Sequence, residues 1–242
     1  MTISINKIKI LFIVSVMLLT TSFFAQDLPY YVSPKGLLVW LPLEGTTFDK
    51  SENGNDANGN HLMNTEDRFG KSDKAIYLDG VNSYLTLEVN NQDLMLSDNF
   101  TIAMWIYPNF SMNNQYVLAK GDKTSNEFAI STGSGNSICI EKSVKQINNC
   151  TTLIKNQWSN ITLTIQNNTA KLYINGKLAT IYLLETPIFS SPLPYTFGAI
   201  FSNGTNTPVQ NSRYNGKMDD IAIWNRVLSA EEILLFYKGE NK

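Results

Sequence analysis

The stretch W-S-N-I-T-L-T-I-Q-N-N-T-A-K-L-Y-I-N-G-K, residues 158–177, alternates apolar and polar side chains along two short segments. On one side of the first segment lie Ile161, Leu163 and Ile165. Successive side chains of a strand point to opposite faces, so this pattern predicts two half-buried antiparallel strands. Asn175-Gly176 suits the positive φ angles of a type I′ turn, which predicts a third strand from Lys177.

Further short strands separated by turn signals are predicted along the rest of the chain. The run Gly36–Leu43 is apolar on both faces, which is typical of a strand covered on two sides. Ala75–Gly80 and Ser83–Leu87 are predicted to form a hairpin through Val81-Asn82. About a dozen such segments favour an all-β fold, a sandwich of two antiparallel sheets, over alternating strands and helices.

One helix is predicted, at the end of the chain. Ser229 and Glu232 have the spacing of a capping box, and Leu228 and Ile233 stand at the positions of a hydrophobic staple. Gly239 suits the end of this helix. We therefore expect a β-sandwich that carries one short C-terminal helix.

The first residues have the pattern of a secretory signal peptide. Lys7 and Lys9 precede an apolar run, Ile10–Leu19, and the small residue Ala25 marks the predicted cleavage point. The run is short for a membrane span, so an uncleaved anchor is the weaker alternative, and no later segment of the sequence is suited to spanning a membrane. We expect an exported protein, located in the periplasm or outside the cell.

The predicted organisation is a signal peptide at 1–25, an N-terminal lead-in at 26–35 and one domain at 36–242. Neither a repeat nor a change in composition divides the last segment. The formal net charge of −2 gives no electrostatic reason to expect nucleic acid or an anionic membrane as a partner. The sequence leaves the oligomeric state open.

The two cysteines fit an oxidising compartment. Cys139 and Cys150 lie in two predicted strands around a polar turn, and we predict a structural disulfide between them, with two free thiols as the alternative. The bridge would contribute about 3 kcal/mol in the chain-entropy model. A catalytic thiol would need a histidine partner, and the spacing to His61 does not support that pairing. We interpret His61 as an ordinary loop residue.

Five segments together resemble the concanavalin A-like lectin/glucanase superfamily, in its laminin-G-like jelly-roll branch. In chain order they are G-L-L-V-W-L-P-L-E-G…D-K-S-E-N-G-N, K-A-I-Y-L-D-G-V-N-S-Y-L-T-L, F-T-I-A-M-W-I-Y-P, Q-W-S-N-I-T-L-T-I…K-L-Y-I-N-G-K and Y-N-G-K-M-D-D-I-A-I-W-N-R-V-L-S-A-E-E-I. The resemblance extends from about Gly36 to Tyr237 and implies a jelly roll. It implies extracellular domains that bind glycans or proteins, or that accompany enzymes and adhesins, and it does not settle the activity.

Glycosidases also occur in this superfamily, and their chemistry needs two carboxylates at a fixed separation. The sequence has no strand with acids at alternate positions. Asp219 and Asp220 are adjacent, so they are expected to point to opposite faces. Glu127 and Glu141 remain the pair that a hydrolase would use, if they face one another across a sheet. We expect no enzymatic activity.

A structural calcium ion is the metal site that the sequence favours. The loop Asp49–Asn60 begins with Asp49, Ser51, Asn53 and Gly54, an oxygen-rich pattern that suits this cation, but it lacks a final bidentate glutamate. The alternative is a loop whose side chains bond their own backbone. The resemblance implies that Asp219, on the last strand, would join Asp49 and Asn53 as a ligand.

Carbohydrate binding would use exposed aromatic rings and polar side chains of surface loops. The loops Ser111–Tyr116 and Ser202–Gly216 supply our candidate ligand-binding residues, Tyr116, Arg213 and Tyr214. The alternative is that these Asn- and Gly-rich loops only join strands. Core packing is instead predicted for the four tryptophans, Trp40, Trp105, Trp158 and Trp224.

The sequence and the resemblance together predict a secreted, non-catalytic, lectin-like module that binds carbohydrate. The first alternative is an extracellular protein-interaction or adhesion module. The second is a glycoside hydrolase of the same superfamily. The partner is therefore expected to be a glycan or an extracellular protein.

Overall fold

The computed structural model describes residues 28–239, apart from residues 91, 97, 125–126, 143–144, 147–149, 185 and 189–190, and without the side chains of residues 145–146. The predicted signal peptide, 1–25, lies outside the described residues. Among the helices of the described residues, none combines the length and apolar character that crossing a membrane requires.

Two antiparallel sheets and one C-terminal helix make up the fold, as the sequence predicts. The strands are β1 (Leu37–Leu41), β2 (Asn58–Asn60), β3 (Met63–Thr65), β4 (Ala75–Asp79), β5 (Tyr84–Leu87), β6 (Asn99–Pro108), β7 (Tyr116–Lys120), β8 (Phe128–Gly133), β9 (Ser137–Lys142), β10 (Lys145–Gln146), β11 (Thr151–Thr152), β12 (Ser159–Gln166), β13 (Thr169–Ile174), β14 (Lys177–Leu183), β15 (Tyr195–Phe197) and β16 (Asn215–Trp224). The helix is α1 (Ala230–Lys238), and a 3₁₀ turn spans Gln92–Leu94.

Sheet A has the strand order β14-β13-β12-β6-β16-β4-β3, with β1 also paired to β16. Sheet B has the order β10-β9-β8-β7-β15-β5-β2, with β11 also paired to β9. The inward side chains of both sheets form one large apolar cluster, to which sheet A contributes Phe100 and Leu163 and sheet B contributes Leu85 and Phe128. This cluster is the core of the sandwich.

The meander predicted from residues 158–177 is confirmed. Strand β12 pairs antiparallel with β13, and β13 pairs with β14, which begins at Lys177. Asn175 and Gly176 have φ angles of 51° and 74°, as a type I′ turn requires. Inward-facing Ile161 and Leu163 lie in the core, so the alternation of the sequence predicts the burial correctly.

The predicted hairpin between Ala75–Gly80 and Ser83–Leu87 is wrong. Strand β4 pairs with β3 and β16 in sheet A, whereas β5 pairs with β2 and β15 in sheet B. The turn between them carries the chain from one sheet to the other. Its shape is held by Asp79, whose Oδ1 accepts hydrogen bonds from the backbone N–H groups of Val81, Asn82 and Ser83 at 2.7, 2.8 and 3.0 Å.

Helix α1 lies in a second apolar cluster, which it forms with outward side chains of sheet A. Both halves of the predicted capping box are present at Ser229 and Glu232. The helix contributes Ile233 and Phe236 to the cluster. The other members are Tyr31, Val32, Leu37, Trp40, Ala103, Trp105, Ala222, Trp224 and Leu228, with Trp158 packed against them. The predicted burial of Trp40, Trp105 and Trp224 is confirmed, but beneath the helix rather than between the sheets.

The N-terminal lead-in belongs to this second cluster. Tyr31 is buried and packs edge-to-face on Phe236. A Cβ atom at Gly239, just after the helix, would collide with the Tyr31 ring, so close approach explains the glycine there. Although its sequence is polar, the lead-in therefore helps to hold the helix on sheet A.

The predicted disulfide is confirmed. Cys139, on β9, is bonded to Cys150, which directly precedes β11. Strand β11 pairs with β9 through Thr151 and Ile138, so the bridge and the pairing join the same two segments. Cys139 is fully buried in sheet B.

Candidate functional site

Two of the predicted ligand-binding residues, Tyr116 and Arg213, lie next to each other in a short parallel bridge. Tyr116 is buried, and its hydroxyl donates to Glu141 Oε2 at 2.8 Å and accepts from Lys123 Nζ at 2.9 Å. Burial and the nearby Glu141 carboxylate raise the pKa of Tyr116, so the phenol stays protonated. The ring is part of a small apolar cluster with Ala129 and Ile200, and it offers little surface to a ligand.

Tyr214, the third predicted residue, is fully buried in the main core. Its ring has no exposed face on which a sugar could stack, so the structure gives no support to its predicted role. Arg213 is partly exposed and keeps contact with solvent. Tyr116 and Arg213 are therefore neighbours in space, but the three residues do not present a shared binding surface.

The predicted calcium loop is held by its own hydrogen bonds. Asp49 Oδ1 accepts from the backbone N–H groups of Trp40 and Ser51, and its Oδ2 accepts from that of Asn55, each at 2.9 Å. Asn53 Nδ2 donates to the carbonyl of Leu37 at 3.0 Å. The side chains thus serve the backbone of the loop and of β1, as in the alternative considered for this loop.

Asp219 lies in a different network. Arg68 reaches Asp219 Oδ2 at 2.7 Å and Asp220 Oδ2 at 2.9 Å, and all three side chains are almost completely buried. The guanidinium group also stacks on Trp105, 4.7 Å from the ring centroid. Burial and then repulsion by Asp220 raise the pKa of Asp219 well above its ordinary range, and burial raises the pKa of Asp220 against the attraction of Arg68.

The expectation that Asp219 and Asp220 point to opposite faces is wrong. The register between β16 and β6 shifts between Asp219 and Ala222, and Asp220 has a φ of 47°. Met218 and Ile221 both face the core, so this β-bulge leaves both aspartates on the outward side. A bulge of this kind gives no signal in the alternation of the sequence.

These contacts bear on the calcium prediction. Asp49 and Asp219 already accept hydrogen bonds from backbone N–H groups or from Arg68, so the arrangement does not fit calcium ligation by these residues. Among the described residues, no group of three or more His, Cys, Asp or Glu side chains is placed to hold a metal ion. Calcium binding by Asp49, Asn53 and Asp219 stays a prediction.

The two carboxylates of the hydrolase alternative have separate surroundings. Glu141 accepts from Tyr116 and from Ser131 Oγ on the outer side of sheet B. Glu127 accepts from Ser191 Oγ and lies 3.8 Å from the ammonium group of buried Lys120. Burial lowers the pKa of Lys120 to about 8, although Glu127 opposes this change. No partner is shared between the two sites, so the described contacts do not join Glu127 and Glu141 in one centre.

A polar groove lies on the outer side of β2 and β5, at the edge of sheet B. Because Leu85 and Leu87 face the core, the alternate residues of β5 point outward. In the register of the two strands, Asn60 stands opposite Tyr84 and Asn58 opposite Thr86. The floor of the groove is thus two cross-strand pairs of polar side chains.

The loop after β15 forms the wall of this groove. Phe201 packs edge-to-face on Tyr84, with ring centroids 5.7 Å apart, and Asn206 follows in the same loop. Asp122 holds the loop, because its Oδ2 accepts from the backbone N–H of Gly204 at 2.8 Å. Two segments that are distant in the sequence therefore meet at one site.

The groove has a volume of about 240 Å³. Its lining comprises Asn58, Gly59, Asn60, Tyr84, Thr86, Glu88, Phe201 and Asn206. Asn60 Nδ2 donates to the Tyr84 hydroxyl at 3.2 Å, so the floor is ordered before any ligand arrives. Amides, hydroxyls, a carboxylate and aromatic rings offer both hydrogen-bond donors and acceptors, together with an apolar surface.

None of the predicted ligand-binding residues, Tyr116, Arg213 and Tyr214, lines this groove. The predicted residues are assigned to loops, although the alternation in Y-L-T-L-E places Tyr84, Thr86 and Glu88 on one face of a strand. That signal was available. The pairing of β5 with β2 and the return of the Phe201 loop are long-range contacts, and the sequence gives no local sign of them.

Residues 79–234 match the sequence model of a laminin-G-like family described as "Concanavalin A-like lectin/glucanases superfamily". This match covers more than half of the chain. Among curated proteins, no sequence matches this chain.

Solved structures with the same fold include bacterial binding domains. The binding domain of Paraclostridial Mosquitocidal Protein 1 has 21% sequence identity and a TM-score of 0.66, with 84% of this chain and 52% of that chain covered. Domain 4 of AbnA, a GH43 extracellular arabinanase from Geobacillus stearothermophilus solved in complex with arabinotriose, has 16% identity and a TM-score of 0.64, with coverages of 84% and 98%.

A third structure, of botulinum neurotoxin type C, has 18% identity and a TM-score of 0.64, with coverages of 84% and 51%. Cell entry of this toxin is dependent upon interaction with two ganglioside molecules. The chain thus spans about half the length of the toxin structures it matches. At these identities the likeness is evidence for the fold.

Proposed function

Because the chain belongs to the concanavalin A-like lectin/glucanase superfamily, we propose that it is a secreted, non-catalytic module that binds carbohydrate. The observation that carries this proposal is the groove between β2, β5 and the Phe201 loop. Amide and hydroxyl groups on its floor can exchange hydrogen bonds with sugar hydroxyls. The half-buried ring of Tyr84, held in place by Phe201, can pack on the apolar face of a sugar ring.

Two of the structural neighbours are consistent with this proposal. The arabinanase domain was solved in complex with arabinotriose, and cell entry of botulinum neurotoxin type C depends on interaction with two ganglioside molecules. The non-catalytic part is supported by the separate partners of Glu127 and Glu141. Export is supported by the signal-like residues 1–25 and by the disulfide, which is typical of oxidising compartments.

A glycan array, followed by calorimetric titration with arabinotriose and with the best array ligand, tests the proposal. We expect Tyr84→Ala and Asn60→Ala each to weaken binding. Truncation of a central aromatic residue costs about 2 kcal/mol or more at binding hot spots, so the loss for Tyr84→Ala should be at least about thirtyfold. Asn60→Ala provides a second variant that leaves the packing between Tyr84 and Phe201 in place.

Tyr30→Ala is the matched control, because Tyr30 is an exposed tyrosine that packs edge-to-face on Tyr31 and lies outside the groove lining. It should bind as the wild type does. If no glycan binds, the proposal is wrong. If binding is unaffected by both groove variants, carbohydrate binding stands but its site lies elsewhere. Release of reducing ends from a polysaccharide would contradict the non-catalytic part.

A further inference from the structure

The charge of the groove bears on which saccharides it accepts. Glu88 is the single ionisable carboxylate of the lining, and Tyr84 is its other titratable residue. The remaining polar members are amides and one hydroxyl, from Asn58, Asn60, Asn206 and Thr86. The lining contains no lysine, arginine or histidine. Its formal charge at neutral pH is therefore negative.

The lysine whose backbone contacts the groove wall directs its ammonium group elsewhere. Lys123 lies beside the groove wall, since its backbone N–H donates to the carbonyl of Phe201 at 2.8 Å. Its ammonium group, however, bonds the Tyr116 hydroxyl and lies 5.2 Å from the centroid of that ring. Lys120, three residues earlier, is buried and donates to the carbonyls of Ser191 and Leu193. Neither lysine is part of the groove lining.

Recognition of an anionic sugar needs cationic or strongly polarised N–H donors. Carboxylates, sulfates and phosphates are bound in proteins by arginine and lysine side chains or by converging backbone N–H groups. A carboxylate, in contrast, is an acceptor for hydroxyl groups, and a charged acceptor makes shorter and stronger hydrogen bonds than a neutral one. Glu88 is placed to accept from sugar hydroxyls and to repel an acidic substituent.

We infer that the groove selects neutral saccharides and excludes uronic-acid, sialylated and sulfated ones, with Glu88 as the residue that determines this specificity. The inference rests on the proposed function, because it concerns the same groove. The inferred specificity distinguishes this chain from a domain that binds acidic glycans, a distinction that the fold alone does not make.

The experiment compares neutral and acidic probes of matched size. Calorimetric titration of the purified protein would use arabinotriose and cellotriose as neutral probes, and trigalacturonate and sialyllactose as acidic ones, at 20 and 300 mM NaCl. We expect a neutral probe to bind at least about fivefold more tightly than an acidic one at low salt, the size of one charge pair near 4 Å in water. Screening should reduce this difference at 300 mM NaCl.

Glu88→Gln should reduce the preference, and Glu88→Lys should abolish or reverse it. Glu52→Lys makes the same change in net charge at an exposed loop residue outside the groove, so it should leave the preference unchanged. Equal binding of neutral and acidic probes by the wild type, or a preference that Glu88→Lys does not alter, would overturn the inference while carbohydrate binding stands. If neither kind of probe nor any array glycan binds, the proposed function itself falls.

Discussion

The outer faces of the two sheets are built from the same kind of antiparallel strand, yet the face of sheet A is covered and the edge of sheet B is open to solvent. On sheet A the outward residues include Trp40, Trp105 and Trp224, and the helix and lead-in cover them. At the edge of sheet B the outward residues of β5, Tyr84 and Thr86, line an open groove together with Glu88, which directly follows the strand. Large apolar residues in outward positions require a cover, whereas polar ones can remain in water.

The edges of the sheets also differ, because side chains of a loop cover an edge of sheet A while an edge of sheet B lines the groove. In sheet A, the side chain of Asn55 donates to the carbonyl of Leu38 on β1 at 2.8 Å, and that of Asn53 donates to the carbonyl of Leu37. In sheet B, β2 is the last strand in the order, and its outward asparagines line the groove. We therefore regard sheet A as the stabilising layer and the edge of sheet B as the proposed binding layer. The division predicts that stability and binding can be changed separately.

The largest effect should come from removing the cover of sheet A. Phe236 is fully buried and contacts Trp224 and Tyr31 edge-to-face. Phe236→Ala should lower the free energy of unfolding by about 3–5 kcal/mol, measured by urea denaturation. Leu235→Ala, at an exposed position on the same helix, is the matched control and should change it by less than about 0.5 kcal/mol. Below the melting temperature, Phe236→Ala should bind glycans as the wild type does; a parallel loss of binding would break the division between the two layers.

The buried ion network beneath this cover should give the next largest effect. Arg68→Met leaves the carboxylates of Asp219 and Asp220 buried without their cation, and breaking a buried pair in this way costs about 3–5 kcal/mol. The pKa values of both aspartates are raised in the folded state. At pH values between the ordinary aspartate pKa and these raised values, the folded state therefore binds more protons than the unfolded state. The contribution of this site to the free energy of unfolding therefore falls as the pH rises from the ordinary aspartate pKa through the raised ones. The defect of Arg68→Met should be largest near pH 8 and should shrink towards pH 5.

Arg226→Met is the control for this pH dependence. Arg226 pairs with Glu232 at 2.5 Å, but both side chains are partly exposed. Arg226 lowers the pKa of Glu232 to about 2, against the effect of partial burial. Glu232 thus stays ionised between pH 5 and 8, and the effect of Arg226→Met on unfolding should be small and constant over this range. An Arg68→Met defect that does not change with pH would show that Asp219 and Asp220 titrate normally.

The sequence predicted the features that depend on neighbouring residues. The meander with its Asn175-Gly176 turn, the capping box at Ser229 and the Cys139–Cys150 disulfide are all confirmed. Each of them is fixed by residues within about a dozen positions of one another, so the chain carries its own local signal.

The features that the sequence missed depend on distant segments. The sequence around the turn after Asp79 is typical of a hairpin. Only the pairing of β4 and β5 with strands of different sheets shows that the chain passes from sheet A to sheet B there. The bulge at Asp220 places both aspartates on one side because Arg68, far away in the sequence, binds both. The polar groove joins β2, β5 and the Phe201 loop, so its existence could not be read from any one stretch.

The smallest effect concerns the edge of sheet A and decides the calcium prediction. Asp49→Ala removes the acceptors for the backbone N–H groups of Trp40, Ser51 and Asn55, which should lower the free energy of unfolding by about 1–3 kcal/mol. Since these donors already occupy the Asp49 carboxylate, a chelator should leave the melting midpoint of the wild type unchanged. A midpoint that rises with added calcium, falls with chelator and no longer responds in Asp49→Ala would mean that the loop rearranges around the ion. In that case the edge of sheet A would be closed by a metal site rather than by hydrogen bonds alone.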